Sequence, residues 1–269
     1  MIKRVLTAVV GLPFVLFLVH IGGLPLLIAC AGLAIIGLRE LYLAFSKTHR
    51  PVHFIGYGFT VLYFAAIYVF GAGYWLLIAL TLFIITAQTG LVVFFKRLTL
   101  QEIITTVYGF LYVPFLLSFI VLVREHALGW YYVWLIFIAS MGSDTFAYLT
   151  GVSIGRRKLT GSPSPSKSLE GVFGGVIGAT FVGVLYGFVL AHFFSVQGIM
   201  LNAAVICFIG GIFSVIGDMA ASAVKRHMGI KDFGNVFPGH GGVLDRVDSV
   251  VIVAPIVYMA MNILIWLVV

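Results

Sequence analysis

The sequence predicts an all-α, polytopic integral membrane protein of about nine transmembrane helices, with the N-terminus cytoplasmic and the C-terminus outside. Three observations carry this. Of 269 residues, 62% are hydrophobic and 9% charged, where soluble domains are nearer a quarter charged. The apolar residues fall into runs close to the ~20 residues that cross a bilayer. Lys and Arg collect on alternate connections, as cytoplasmic loops require.

In chain order the runs are roughly 5–21, 24–45, 53–70, 74–95, 102–123, 130–151, 170–193, 199–224 and 243–268. The first follows Lys3 and Arg4 and has the look of a signal peptide. No clear small-x-small cleavage site follows, so it reads as a retained span. Turn and breaker stretches such as GGLP, SKTHRPVH, GAG, KRLTLQ and REHALG separate the runs that follow. Pro114 and Pro255 lie inside spans and are expected to kink them. The seventh span, GVFGGVIGATFVGVLYG, sets Gly171, Gly174, Gly178, Gly183 and Gly187 at helix-packing spacings. These favour close packing within the chain or between the subunits of a homodimer.

With the N-terminus inside, the inward connections hold Lys47 and Arg50; Lys96 and Arg97; Arg156, Arg157, Lys158 and Lys167; and Lys225, Arg226 and Lys231. The outward connections hold Arg124 alone. The net charge of +7 thus belongs to orientation-setting loops facing membrane lipids. Nucleic acid is not an expected partner, because no basic stripe with interleaved aromatics is present. Cys30 and Cys207 sit in apolar runs and read as small buried hydrophobes, without metal spacing or a disulfide framework. Spans one to five, residues 1–128, read as a scaffold in contact with lipid. Spans six to nine, residues 129–269, read as the catalytic region, with long inward loops at 152–169 and 225–242.

Nine residues are acidic. Asp144 comes late in span six and Asp218 late in span eight, both running inward. Asp245 and Asp248 open span nine, which starts inside. The topology therefore predicts four carboxylates at one depth near the cytoplasmic face. An acid within a span is costly, and several together repel, so neutral pairing or a cation is needed. Asp245 and Asp248 are spaced i,i+3 and share a helix face. Asp218, Ser222 and Lys225 form one stripe, as do Asp144, Tyr148 and Gly151. Such oxygen donors suit Mg²⁺. For any one Asp a helix-end role is the plain alternative. Arg39 and Glu40, in span two, read as pairing or snorkelling groups. PGHGG, 238–242, is glycine-rich before a helix start, a pattern suited to an anion as well as to a plain loop. Acids, cations and this element together point to phosphate chemistry at the cytosolic membrane face.

The stretch SAVKRHMGIKDFGNVFPGHGGVLDRVD, 222–248, resembles the signature of the phosphatidate cytidylyltransferase (CDP-diacylglycerol synthase) family. The matching positions are Ser222, Lys225, Arg226, Lys231, Asp232, His240, Gly241, Gly242, Asp245, Arg246 and Asp248. SDTFAYLTGVSIGRRKLTGSPSPSKSLEG is similar to a second family stretch. Within it, Ser166 stands where Lys is usual and Ser168 where Thr is usual, while Lys167 and Glu170 remain. The resemblance implies a Mg²⁺-dependent reaction, with one cation or two, in which CTP and phosphatidate give CDP-diacylglycerol and pyrophosphate for phospholipid synthesis. It implies a multi-pass protein of the cell membrane with its active site facing the cytoplasm. It also implies that Asp218 and Asp245 bind metal, with Asp248 or Asp144 assisting. Lys225, Arg226, Arg246 and Lys167 would contact phosphates, and His240, Gly241, Gly242 and Ser222 would shape the nucleotide-phosphate pocket. A CTP-dependent lipid kinase is the nearest rival. The Asp-Gly-x-x-Ala-Arg opening of CDP-alcohol phosphotransferases is absent. A transporter would show paired halves and mid-membrane acids, and neither is read here.

Overall fold

The computed structural model describes residues 13–46, 48–236 and 241–268. Eight helices among them are long and apolar enough to cross a membrane: α1 (Gly23–Phe45), α2 (His53–Phe70), α3 (Trp75–Val93), α4 (Leu100–Glu125), α5 (Gly129–Ser153), α6 (Leu169–Phe194), α7 (Ile199–His227) and α8 (Leu244–Val268). Each agrees with its expected run to within three residues at either end. Of the first expected span, 5–12 lie outside the described residues and 13–21 are helical. The protein is thus an all-helical, polytopic membrane protein.

The helices form two compact units, residues 1–125 with 227–246 and residues 126–226 with 247–269. The first unit therefore takes α1–α4 and the connection that follows α7. That connection belongs with helices from the other end of the sequence.

In the first unit, α1 packs on α2 and α4. Tyr42 is fully buried there, and its hydroxyl donates to the Thr106 carbonyl at 2.8 Å. The Thr106 hydroxyl in turn accepts from the Val52 N–H at 2.7 Å, so the start of α2 is tied to α4. Gly56 and Gly109 leave room for the Tyr42 ring, which a Cβ at either position would strike. Thr99 and Glu102 form a reciprocal capping box at the start of α4, satisfying two N–H groups that a helix start leaves unpaired. Pro114 lies in a π-helical turn, Leu111–Phe115. The wider turn absorbs the carbonyl that proline cannot pair. Arg124, the one basic residue expected on the outer side, donates to the Val19 and His20 carbonyls at 3.1 and 3.0 Å. It closes the end of the 13–21 helical segment.

In the second unit, the glycines of α6 pack inside the chain. A Cβ on Gly174 would strike Thr150, and one on Gly178 would strike the Phe146 ring, both on α5. Gly183 and Gly187 face Cys207 and Met200 of α7 in the same way. Gly178→Ala is therefore expected to cost about 1–3 kcal/mol by overpacking, read as a lower unfolding temperature in detergent. A second π-helical turn, Ile138–Gly142, interrupts α5 just before Ser143 and Asp144. The Ser140 carbonyl accepts from the Ser214 hydroxyl of α7 at 3.3 Å. The Ser143 hydroxyl donates to the Gly211 carbonyl, also at 3.3 Å. These bonds fix the register in which Asp144 leaves α5. Pro255 sits within α8, which continues through it.

Candidate active site

The second unit brings together three of the four expected carboxylates. Asp144 comes from α5, Asp218 from α7 and Asp248 from α8. Each is close enough to the others to interact electrostatically. Lys167 forms an ion pair with Asp218, and Lys225 attracts Asp248 from the end of α7. The Ser249 hydroxyl donates to Asp144 at 3.4 Å, and the Ser249 N–H donates to Asp248 at 2.8 Å. When all three carboxylates are ionised they outnumber the two ammonium groups. Such a set attracts a further cation.

The donor chemistry suits Mg²⁺, which prefers carboxylate oxygen. Among the described residues, no three His, Cys, Asp or Glu side chains converge closely enough to hold an ion by themselves. That agrees with the habit of Mg²⁺, which keeps several waters and takes one or two carboxylates together with substrate phosphates. The residues present fit the ion in charge and donor type.

Lys167 is delivered by a folded loop. The Leu159 N–H donates to the Lys167 carbonyl and the Leu169 N–H to the Arg157 carbonyl, each at 2.9 Å, around an antiparallel bridge between Lys158 and Ser168. The Glu170 carboxylate accepts from the N–H groups of Arg156 and Arg157 at 3.1 to 3.2 Å. Ser168, 3% exposed, caps α6 by accepting from the Gly171 N–H at 3.2 Å. Serine and threonine cap helices alike, so the serine at 168 keeps the job a threonine would do. The Ser166 carbonyl accepts from Lys158 Nζ at 3.2 Å. Arg156, Arg157 and Lys158 are exposed on this loop.

The first unit holds Gly241, Gly242, Asp245 and Arg246. Asp245, in the first turn of α8, accepts at Oδ2 from the N–H groups of Phe233 at 2.8 Å and Gly242 at 2.9 Å. It thereby ties Phe233, next in sequence to Lys231 and Asp232, to the start of α8. Gly241 has φ +80°, and a Cβ there would lie 2.9 Å from Asp245 Oδ2 and 3.3 Å from Asp232 Oδ1. A side chain at 241 would be strained in conformation as well as crowded. Arg246 is exposed beside Asp245. His240 lies outside the described residues. Arg226 is exposed and Ser222 half-buried near the end of α7, in the second unit.

One acid has a larger part here than its sequence context suggested. Glu40 of α1 is 2% exposed and does not snorkel. Its Oε1 accepts from the Val243 N–H at 2.9 Å, and its Oε2 from the Leu244 N–H at 2.8 Å. The N–H groups of 242, 243 and 244, which the glycine-rich pattern suggested for a substrate anion, are thus donated to the protein's own carboxylates. The sequence signal was an acid deep in an apolar run, without a cation at i±4 to pair it.

Residues 2–264 match the sequence profile of the cytidylyltransferase family. A phosphatidate cytidylyltransferase of Thermotoga maritima is 39% identical over 159 residues, 57% of this chain and 57% of that protein. A phosphatidate cytidylyltransferase of Staphylococcus epidermidis is 30% identical over 263 residues, 94% of this chain and 96% of that protein. With the Thermotoga protein, the similarity spans little more than half the length of either chain.

Proposed function

The chain belongs to the cytidylyltransferase family and is a nucleotidyltransferase, and we propose that it transfers CMP from CTP to phosphatidate, giving CDP-diacylglycerol and pyrophosphate for phospholipid synthesis. The observation that carries this reading is the Asp144–Asp218–Asp248 cluster with Lys167 paired to Asp218. The signature residues from Ser222 to Asp248 supply the particular reaction.

A phosphatidate phosphate oxygen attacks the α-phosphorus of CTP. The new P–O bond forms as the bond to the β-phosphate oxygen breaks, and that electron pair leaves with pyrophosphate. The second pKa of a phosphate monoester is near 6, so the attacking oxygen is already deprotonated at neutral pH and needs no general base. The main barrier is charge, since both substrates are anions. Lys167, Lys225, Arg226 and Arg246 are assigned to the phosphates, where cations offset that repulsion and the charge gathering on the leaving group. Mg²⁺, when bound, would neutralise further phosphate charge. Asp218 is assigned to hold it with Asp144 and Asp248. Asp245 is assigned as a ligand on the strength of the signature. Its clasp on the loop leaves that role open, because a carboxylate offers about four lone-pair sites.

The charge asymmetry of the loops favours a site facing the cytoplasm of the cell membrane, where soluble CTP meets a lipid phosphate. Purified protein with phosphatidate, CTP and Mg²⁺ is expected to release pyrophosphate and form a CDP-lipid. Release of CDP instead would assign the chain to lipid phosphorylation. No turnover of either kind would overturn the reading.

A further inference from the structure

We propose that Glu40 is a positioning residue for nucleotide use: an internal anion that fixes the start of α8 and, with it, Gly242 and Asp245 of the signature stretch. The inference rests on the reaction proposed above for its kinetic consequence. Its structural consequence stands alone.

The first observation is the pairing itself. Glu40 gives one oxygen to the Val243 N–H and the other to the Leu244 N–H. A helix start leaves N–H groups unpaired and carries partial positive charge, so it binds anions. A buried carboxylate is tolerated only when its charge is met by such donors. Glu40 is matched to this end of α8 as a ligand would be. It meets the two donors with its two separate oxygens, at 2.9 and 2.8 Å.

The second observation is the space around it. A Cβ on Gly234 or on Gly242 would collide with the Glu40 carboxyl group. Two glycines from opposite ends of the loop therefore close on the same side chain. Gly242 donates its own N–H to Asp245, which also takes the Phe233 N–H. Asp245 ties Phe233, next in sequence to Lys231 and Asp232, to the start of α8, and Glu40 of α1 holds that same helix start. A helix-stabilising cap needs only one donor pair and no empty space beyond it. At Gly234 and Gly242 any side chain would have to displace this carboxylate.

Glu40→Gln keeps the shape but turns one oxygen into an N–H₂ group that faces a donor. In full-length purified protein, the amides of Val243 and Leu244 are expected to exchange with deuterium about ten-fold faster than in wild type. The kcat/KM for CTP is expected to fall about ten-fold, with the KM for phosphatidate unchanged. Tyr42→Phe removes a buried bond of the same unit and serves as the control for general loosening. It should lower the unfolding temperature without moving either readout. Glu40→Asp, whose shorter arm cannot reach both donors, should fall between wild type and Glu40→Gln, and it decides the matter if Glu40→Gln does not fold. The proposal is overturned if Glu40→Gln or Glu40→Asp keeps wild-type kcat/KM, or if the CTP defect comes with unchanged exchange at 243 and 244. If wild type turns over no CTP, the reaction assignment fails, and the exchange measurement alone still tests Glu40 as the anchor.

Discussion

Asp218→Asn is expected to lower turnover about a thousand-fold and to leave the protein folded. Asp218 is the carboxylate through which the second unit's cluster is joined. It pairs with Lys167 and interacts with both Asp144 and Asp248. The asparagine has the same size and keeps one oxygen, so helix packing should survive. The side chain is also 25% exposed, which limits what its charge contributes to folding. What is lost is the negative charge that gathers cations where phosphates are to be screened. The check is the initial rate of CDP-lipid formation, with size-exclusion behaviour and unfolding temperature measured beside it. A rate within about ten-fold of wild type would remove Asp218 from the chemistry. Asp144→Asn should cost less, because the ion pair of Lys167 is made with Asp218, while Asp144 is hydrogen-bonded by the Ser249 hydroxyl.

The span boundaries were legible because lipid imposes them. Every backbone polar group must be paired within a helix across the hydrocarbon, so an apolar run and its breakers fix the ends closely. The meeting of Asp144, Asp218 and Asp248 was legible for a related reason: alternating direction places the late residues of α5 and α7 beside the early ones of α8. The partners of Glu40 were not legible. They are main-chain N–H groups more than 200 residues away, and a backbone donor leaves no mark in composition. The same holds for the glycine-rich element before α8. Its pattern announces an anion at a helix start and cannot say that the anion is the chain's own. The π-helical turn before Asp144 was also hidden, since IASMG holds no proline. Its cause lies in the serines it aligns with α7. By contrast, Ser168 could be read locally. A serine two residues before an acid, at the end of a polar loop, is a helix cap by its position alone.

Lys167→Met should lower turnover on the order of a hundred-fold and, at the same time, lower the Mg²⁺ concentration needed for half-maximal rate. The two effects have one cause. The backbone of Lys167 is fixed by the loop ladder and by Glu170, while its ammonium group rests on Asp218. That ammonium is a resident cation among three carboxylates, and it competes with any other cation drawn there. Methionine keeps most of the stem and removes the charge. The cluster then repels itself more strongly and binds a divalent ion more readily. The phosphates meanwhile lose a donor that could cross from Asp218 to the substrate, so the rate falls. Lys167→Arg keeps the charge in a planar, bulkier head, and should retain more of the rate and a near-normal metal requirement. Titrating Mg²⁺ against rate in the three proteins separates these effects. A loss of rate with the metal requirement unchanged would make Lys167 a phosphate contact alone. A lowered requirement with full rate would make it only a counter-ion for Asp218. Both changes together are what a lysine that alternates between acid and substrate requires.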